Sequence, residues 1–272
     1  MTGEMVAVKQ TEIPVVDLSR AQSEYEKIQS EVAVLKSLRH ENIVTYLGTS
    51  LEDRVVSIFM QFVPGGTVAG ILKKFGSLAE PVFLRYTRQV LAAVAYLHSK
   101  SVIHRDIKGS NLMLMPTGVL KMIDFGCAKR VMNLDKSTDD LLKSMKGTPY
   151  WMAPEVINGT GYGAKSDIWS IGCTTFEMAT GRPPWAHLNK FAALYAISTG
   201  VTVPKLPEKF SDSAKAFVAL CLTRKQESRP HASQLLRSEF AEHSKHHLDA
   251  RIHDASGMPR NSAVKRKVTE FC

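Results

Sequence analysis

The residues with the clearest chemical potential lie at positions 104–111, where the sequence reads His-Arg-Asp-Ile-Lys-Gly-Ser-Asn. Asp106 supplies a carboxylate that can accept the proton of an incoming hydroxyl group and orient that group. Lys108 comes two residues later, so in an extended segment it lies on the same side and can neutralise charge on a phosphoryl group. The amide oxygen of Asn111 is a ligand type that Mg²⁺ accepts. This segment therefore predicts phosphoryl transfer to a hydroxyl group, with Asp106 and Lys108 as catalytic residues.

A second segment, Asp124-Phe125-Gly126, follows at the end of a predicted strand. Its carboxylate can bind Mg²⁺, because that ion is hard and prefers oxygen ligands. Either segment alone could be an ordinary turn rich in hydrogen-bonding residues, and Asp-Phe-Gly alone is common by chance. The two segments together, flanked by predicted strands, favour the chemical interpretation.

The elements that must position these side chains fall into two groups. Before residue 64, alternating β-rich residues and an apolar helix face that includes Ile28, Val32 and Leu35 predict a small sheet with one helix. These elements are a strand at 5–9, a helix at 19–37 and strands at 43–48 and 54–62. After the break at residues 64–66, Pro-Gly-Gly, the pattern becomes mainly helical. There we predict helices near 82–98, 166–180, 191–198, 212–222 and 232–237, and a hairpin formed by 111–115 and 119–123.

Composition places the chain among ordinary soluble globular proteins. Its 272 residues are 44% hydrophobic and 22% charged, and no apolar run is long enough to cross a bilayer. The four cysteines are scattered and form no C-x-x-C pair, which predicts a reducing, cytoplasmic location. The net charge of +9 favours acidic or phosphorylated partners. Nucleic-acid binding is the competing interpretation, but no recognition motif accompanies the charge, so we expect neither a nucleic acid nor a membrane as partner.

The predicted divisions of the chain are residues 1–63, 64–240 and 241–272. The last of these is a basic stretch in which the periodic pattern fades, and we expect it to be disordered. Histidines at positions 243, 246 and 247 could bind a metal, although a polar tail is the favoured interpretation.

The two chemical segments, followed by Ala-Pro-Glu at 153–155, resemble the eukaryotic protein kinase family. The resemblance extends from Gly3 to about Arg237. It implies an α+β, bilobal fold with a small β-rich N-lobe and a larger helical C-lobe, and it implies ATP and Mg²⁺ as cofactors.

The resemblance also implies roles for residues that spacing alone leaves anonymous. Lys9 would hold the α- and β-phosphates of ATP, and Glu31 would pair with Lys9. Met60 would be the gatekeeper of the nucleotide pocket. The remaining implied positions are the hinge residues Gln61 to Val63, the adenine-pocket residues Ala7 and Met113, and the Mg²⁺ ligands Asn111 and Asp124. In the C-lobe, Asp167, Trp169 and Gly172 would anchor the catalytic loop, and Arg229 would pair with Glu155.

Other segments narrow the class. The combination of Lys108 and Thr148 is typical of serine/threonine kinases, and Pro-Gly-Gly at 64–66 is similar to the mitogen-activated protein kinase kinase kinases. That resemblance implies a mitogen-activated protein kinase kinase as the protein substrate. Residues 124–155 would be the activation segment, in which a phosphate on Ser144 could pair with Arg105. Ser137 and Thr138 are further hydroxyls of that segment.

The beginning of the sequence departs from the kinase pattern, because no G-x-G-x-x-G hairpin precedes Lys9. We therefore expect the first two strands of the N-lobe to be missing and the binding of ATP to be weakened. The alternative function is an impaired, truncated kinase-like module that acts by binding proteins. A glycine-rich stretch at 159–165 follows no predicted strand and is rejected as a phosphate-binding loop, and the G-x-x-x-x-G-K-[ST] motif of P-loop proteins is absent. Cys127 could be a reactive thiol, although a small packing residue is the favoured interpretation.

Overall fold

A computed structural model of the protein describes residues 3–14, 18–131, 149–200 and 203–241. Its first part is an antiparallel sheet with the strand order β1-β3-β2. The elements are β1 (Val6–Glu12), α1 (Leu18–Ser37), β2 (Tyr46–Glu52) and β3 (Val55–Gln61). The sheet register sets Lys9 opposite Ile58 on β3. This arrangement is the small β-rich lobe that the sequence predicts.

Helix α1 forms where the apolar residues recur with helical spacing. Ile28, Leu35 and Leu38 are buried in the core, while most of the opposite face is exposed. Burial of this stripe holds the helix, because each fully buried aliphatic side chain contributes about 1.5–3 kcal/mol relative to an exposed one. The helix therefore has a fixed position from which Glu31 can reach Lys9.

One predicted strand was wrong at both ends. The sequence predicts a strand at 43–48, but β2 begins at Tyr46 and ends at Glu52. Ile43 instead forms an isolated parallel bridge with Met122. The amide of Val44 donates to the carbonyl oxygen of Met122 at 2.9 Å, so this backbone is bound to the second lobe before β2 begins.

The second part is mainly helical. Its helices are α2 (Val68–Phe75), α3 (Glu80–Ser99), α4 (Pro154–Ile157), α5 (Ala164–Thr180), α6 (Lys190–Thr199), α7 (Asp212–Cys221) and α8 (Ala232–Leu235). Helix α5 packs against α3 and α7, and most of its side chains are buried, including Trp169 and Cys173. A helix that is buried on nearly all sides is a rigid support for the loops around it.

Short strands place the chemical segments beside each other. Strand β4 (Val102–Ile103) pairs with β7 (Lys129–Arg130), and β5 (Leu112–Leu114) pairs with β6 (Leu120–Met122). The second pair confirms the predicted hairpin. Residues 104–111 connect β4 to β5, and residues 124–126 lie between β6 and β7. The pairing of these strands therefore brings the two segments together.

Parts of the sequence interpretation lie outside the described residues. They are Ser137, Thr138, Ser144, Thr148 and all but the first residue of the predicted tail at 241–272. The bilobal α+β fold is confirmed, and the division at residues 63 and 64 stays a prediction. In the described part of the chain, the structure contains no helix with the length and apolar character of a membrane span.

Candidate active site

The structure brings Asp106, Lys108 and Asn111 together in the segment between β4 and β5. The ammonium group of Lys108 lies 2.9 Å from Oδ1 of Asp106. The amide nitrogen of Asn111 donates to Oδ2 and to the backbone oxygen of Asp106, both at 2.8 Å. Because the nitrogen of the Asn111 amide faces Asp106, the amide oxygen is the remaining acceptor that could bind a cation. Asp106 is thus held on both sides of its carboxylate.

The backbone of this loop is held by Asp167 on α5. One carboxylate oxygen accepts the N–H of His104 at 3.0 Å and the other accepts the N–H of Arg105 at 2.9 Å. Arg105 has a φ of 72°, which is a strained conformation for a residue other than glycine. Burial alone would raise the pKa of Asp167, but the hydrogen bond from His98 and the nearby charges lower it. An ionised carboxylate therefore stabilises the strained loop.

His104 and Phe125 join the two chemical segments. Their rings meet edge to face with centroids 5.1 Å apart, and both side chains are buried. Burial lowers the pKa of His104, and its Nδ1 accepts the N–H of Asp106 at 3.2 Å. An imidazole that accepts at Nδ1 is neutral. This contact fixes Asp106 relative to the segment that carries Asp124.

Lys9 connects the first lobe to the second. Its ammonium group lies 2.7 Å from Oε1 of Glu31 on α1 and 3.3 Å from Oδ1 of Asp124. Burial would lower the pKa of Lys9, but the two carboxylates raise it. Burial would raise the pKa of Asp124, but the charge of Lys9 and the N–H of Gly126 lower it. Lys9 and Asp124 are therefore both charged at neutral pH.

The residues predicted to surround the nucleotide base lie on both sides of the lobe junction. Ala7 on β1 is opposite Met60 on β3, and Met60 is buried. The N–H of Gln61 donates to the carbonyl oxygen of Thr45 at 2.9 Å, so a contact of Gln61 with a base would use its carbonyl group. Val63 is buried just after β3.

Met113 belongs to β5 in the second lobe and forms an isolated bridge with Thr67. The glycine-rich stretch that sequence reasoning rejected is a loop between α4 and α5 at residues 159–163, and its last two residues begin α5. The roles of these residues in nucleotide binding stay predictions.

Three further observations concern residues that the sequence analysis named or that lie beside them. Arg229 lies 2.7 Å from Glu155, as the resemblance implied. The guanidinium of Arg105 lies over the ring of Tyr162 at 4.3 Å. Burial and two neighbouring carboxylates raise the pKa of the Cys127 thiol, which disfavours the reactive thiolate.

Sequence reasoning missed Glu177 on α5. It is buried, and it accepts hydrogen bonds from the backbone of Gly109 and the indole of Trp151. The one signal that could have found it is an acidic residue between the apolar residues Phe176 and Met178 in the second half of α5.

The fold and these contacts define a protein kinase domain. Residues 1–241 match the family described as protein kinase domain, and the chain belongs to that family. It is 57% identical over 246 residues to mitogen-activated protein kinase kinase kinase 19 of Mus musculus. The aligned region covers 89% of this chain and 19% of that protein. The identity to the Homo sapiens protein of the same name is 56%, over 89% of this chain and 18% of that protein.

A more distant relative is mitogen-activated protein kinase kinase kinase A of Dictyostelium discoideum. It is 45% identical over 88% of this chain and 25% of that protein. The chain therefore spans about a fifth of the length of the mouse and human relatives.

Proposed function

We propose that this chain transfers the γ-phosphate of ATP to serine or threonine hydroxyls of a protein. The observation that carries the proposal is that both halves of a phosphoryl-transfer site are assembled at once. Lys9, Glu31 and Asp124 form one contact network, and Asp106 is held between Lys108 and Asn111 in the other. Kinase catalysis needs the lysine–glutamate pair and the metal-binding aspartate in place together.

The residues present fit ATP with Mg²⁺. The carboxylate of Asp124 and the amide oxygen of Asn111 are hard oxygen donors, and Asp124 is ionised because its pKa is lowered. A Mg²⁺ ion held by these two oxygens would supply positive charge that offsets the charge of the ATP phosphates. Lys9 would bind phosphate oxygens, Asp106 would orient the acceptor hydroxyl and take its proton, and Lys108 would stabilise charge on the transferred group.

The substrate class rests on the relatives. Proteins named mitogen-activated protein kinase kinase kinases share 42–57% identity with this chain. We therefore extend the proposal to a mitogen-activated protein kinase kinase as substrate. A cytoplasmic location is part of the same proposal, since Cys127, Cys173 and Cys221 are all free thiols, as in a reducing compartment.

An alternative is a module that binds proteins without transferring phosphate. The observation that favours it is the position of β1 at the edge of the sheet, where Val6 and Val8 are exposed. An edge strand with apolar side chains can pair with another chain. The intact contacts around Asp106 and Asp124 favour catalysis.

The test is transfer of labelled phosphate from ATP to a catalytically inactive mitogen-activated protein kinase kinase. Asp106→Asn removes the base, and Asp212→Asn is the matched control because the Asp212 side chain is fully exposed and pairs with Lys215 at 2.9 Å, away from the catalytic loop. We expect Mg²⁺-dependent transfer by the parent and by Asp212→Asn, and at least about a hundredfold loss in Asp106→Asn. A folded parent that transfers no phosphate would refute the proposed activity and favour the binding module.

A further inference from the structure

The carboxylate of Glu177 joins two segments that are distant in the sequence. Its Oε2 accepts the backbone N–H of Gly109 at 3.1 Å and the indole N–H of Trp151 at 3.1 Å. Gly109 directly follows the catalytic Lys108. Trp151 ends the short turn Pro149–Trp151, which leads from residue 148 of the activation segment to Ala-Pro-Glu. A single acidic side chain thus touches both the catalytic loop and the end of the activation segment.

The approach of the loop to this carboxylate is close. A Cβ atom on Gly109 would lie 2.9 Å from Oε1 of Glu177, a distance that real Cβ atoms essentially never show, and 3.0 Å from Oε2, which is also unusually short. Only glycine can therefore occupy position 109 while the carboxylate stays where it is. The absence of a side chain at position 109 is therefore what lets the Glu177 carboxylate approach the loop between Lys108 and Asn111.

An ionised carboxylate at this buried position costs free energy of folding. Glu177 is 5% exposed, and burial raises its pKa from 4.5 to about 7. The two donors, the N–H of Gly109 and the indole N–H of Trp151, are uncharged. An ionised carboxylate binds such donors more strongly than a protonated carboxyl group does. The ionised form therefore holds the two segments more firmly than the protonated form, at the expense of stability.

Few other charges face this group. From the catalytic loop, Lys108 favours the ionised carboxylate. From α5 itself, Cys173 lies one helical turn away, and burial keeps its thiol protonated by raising its pKa well above the usual value. From the turn at 149–151, Tyr150 is the neighbouring titratable residue, and its hydroxyl donates to Leu188. The state of Glu177 is therefore set mainly by its own burial.

We propose that Glu177 is a positioning residue that holds Lys108 and Asp106 in register with the turn at Pro149–Trp151. It acts through the N–H of Gly109 and the indole of Trp151 and touches none of the reacting atoms. The inference rests on the proposed kinase activity for its catalytic consequence. The structural link itself can be tested without catalysis.

The first experiment measures the link by nuclear magnetic resonance on the full chain. The indole signal of Trp151, assigned with Trp151→Phe, and the amide signal of Gly109 are followed from pH 5.5 to 8.5. Both are expected to shift with one midpoint near pH 7 in the parent and in Asp106→Asn, and to stay flat in Glu177→Gln. If either signal stays flat in the parent, or if both still titrate in Glu177→Gln, the link is overturned, whatever the kinase assay shows.

The second experiment measures the catalytic consequence. Glu177→Gln keeps one oxygen acceptor but loses the charge, and we expect kcat to fall about tenfold because small displacements of a catalytic group are costly. The KM for ATP should stay within about twofold, since Glu177 does not contact Lys9 or Asp124. The parent should also lose activity below pH 7, a loss that the variant lacks.

The matched control is Glu80→Gln. Glu80 also accepts two hydrogen bonds, both from Ser211, but touches no part of the catalytic loop. The kcat and the pH profile of Glu80→Gln should equal those of the parent. If Glu177→Gln retains the parental kcat and pH profile per folded molecule, the positioning role is refuted. If the parent transfers no phosphate, the proposed function fails instead, and the resonance experiment alone decides the link.

Discussion

Replacing Arg229 by methionine is expected to destabilise the fold more strongly than any surface substitution. The side chain is fully buried, and its guanidinium makes a two-pronged contact with Glu155 at 2.7 and 3.1 Å. It also donates to the carbonyl oxygens of Lys165 at 2.6 Å and Thr223 at 3.0 Å, and it lies over the ring of Trp169. Methionine would leave Glu155, itself 8% exposed, without its charged partner.

The magnitude follows from this burial. Removing one partner of a buried ion pair costs about 3–5 kcal/mol, because the other charge remains in a medium that solvates it poorly. In a domain of this size about 1 kcal/mol corresponds to about 2–4 °C in Tm, so we expect Tm to fall by about 10 °C. The hydroxyl of Ser166 also donates to Glu155 at 3.0 Å and would offset part of the loss.

The assay is urea unfolding of four chains, namely the parent, Arg229→Met, Glu155→Gln and the double variant. Arg237→Met is the control, since this arginine is exposed and should change stability by no more than about 0.5 kcal/mol. The double variant should be more stable than the sum of the single costs predicts, because it contains no unpaired charge. A cost below about 1 kcal/mol for Arg229→Met, or strict additivity in the double variant, would refute the reasoning.

Three further predictions concern the site. Lys9→Met should lower kcat at least about a hundredfold, because the phosphate-binding cation is lost; unchanged kcat per folded molecule would contradict its role. Asp124→Asn should remove the Mg²⁺ dependence of nucleotide binding, which calorimetric titration with and without Mg²⁺ measures. Burial raises the pKa of Glu177 from 4.5 to about 7, so its contribution to stability is complete below pH 4.5 and is lost as pH rises to about 7. At about 1.4 kcal/mol per pKa unit, the free energy of unfolding of the parent should fall by about 3 kcal/mol over this range relative to that of Glu177→Gln. If the two proteins give parallel pH profiles in urea unfolding, Glu177 does not titrate in this range.

Much of the architecture could be predicted because it depends on local periodicity. The stripe of Ile28 and Leu35 recurs with helical spacing, so α1 was predicted to within one residue at its start and to the same end at residue 37. The hairpin of β5 and β6 was predicted because turn residues separate two apolar runs. The start of β2 was not predicted correctly. The backbone of Val44 binds Met122, which is distant in the sequence, so no local pattern indicates that β2 begins later.

The amino-acid sequence by itself determined the chemical groups of this protein. Asp106, Lys108 and Asn111 are close in the chain, so their types and spacing already define a chemistry, and the implied pairing of Lys9 with Glu31 came from the kinase resemblance. Only the tertiary structure decided the environment of Glu177, whose donors come from Gly109 and Trp151. Its raised pKa arises from burial by other parts of the chain, and burial is a property of packing that no local sequence pattern encodes.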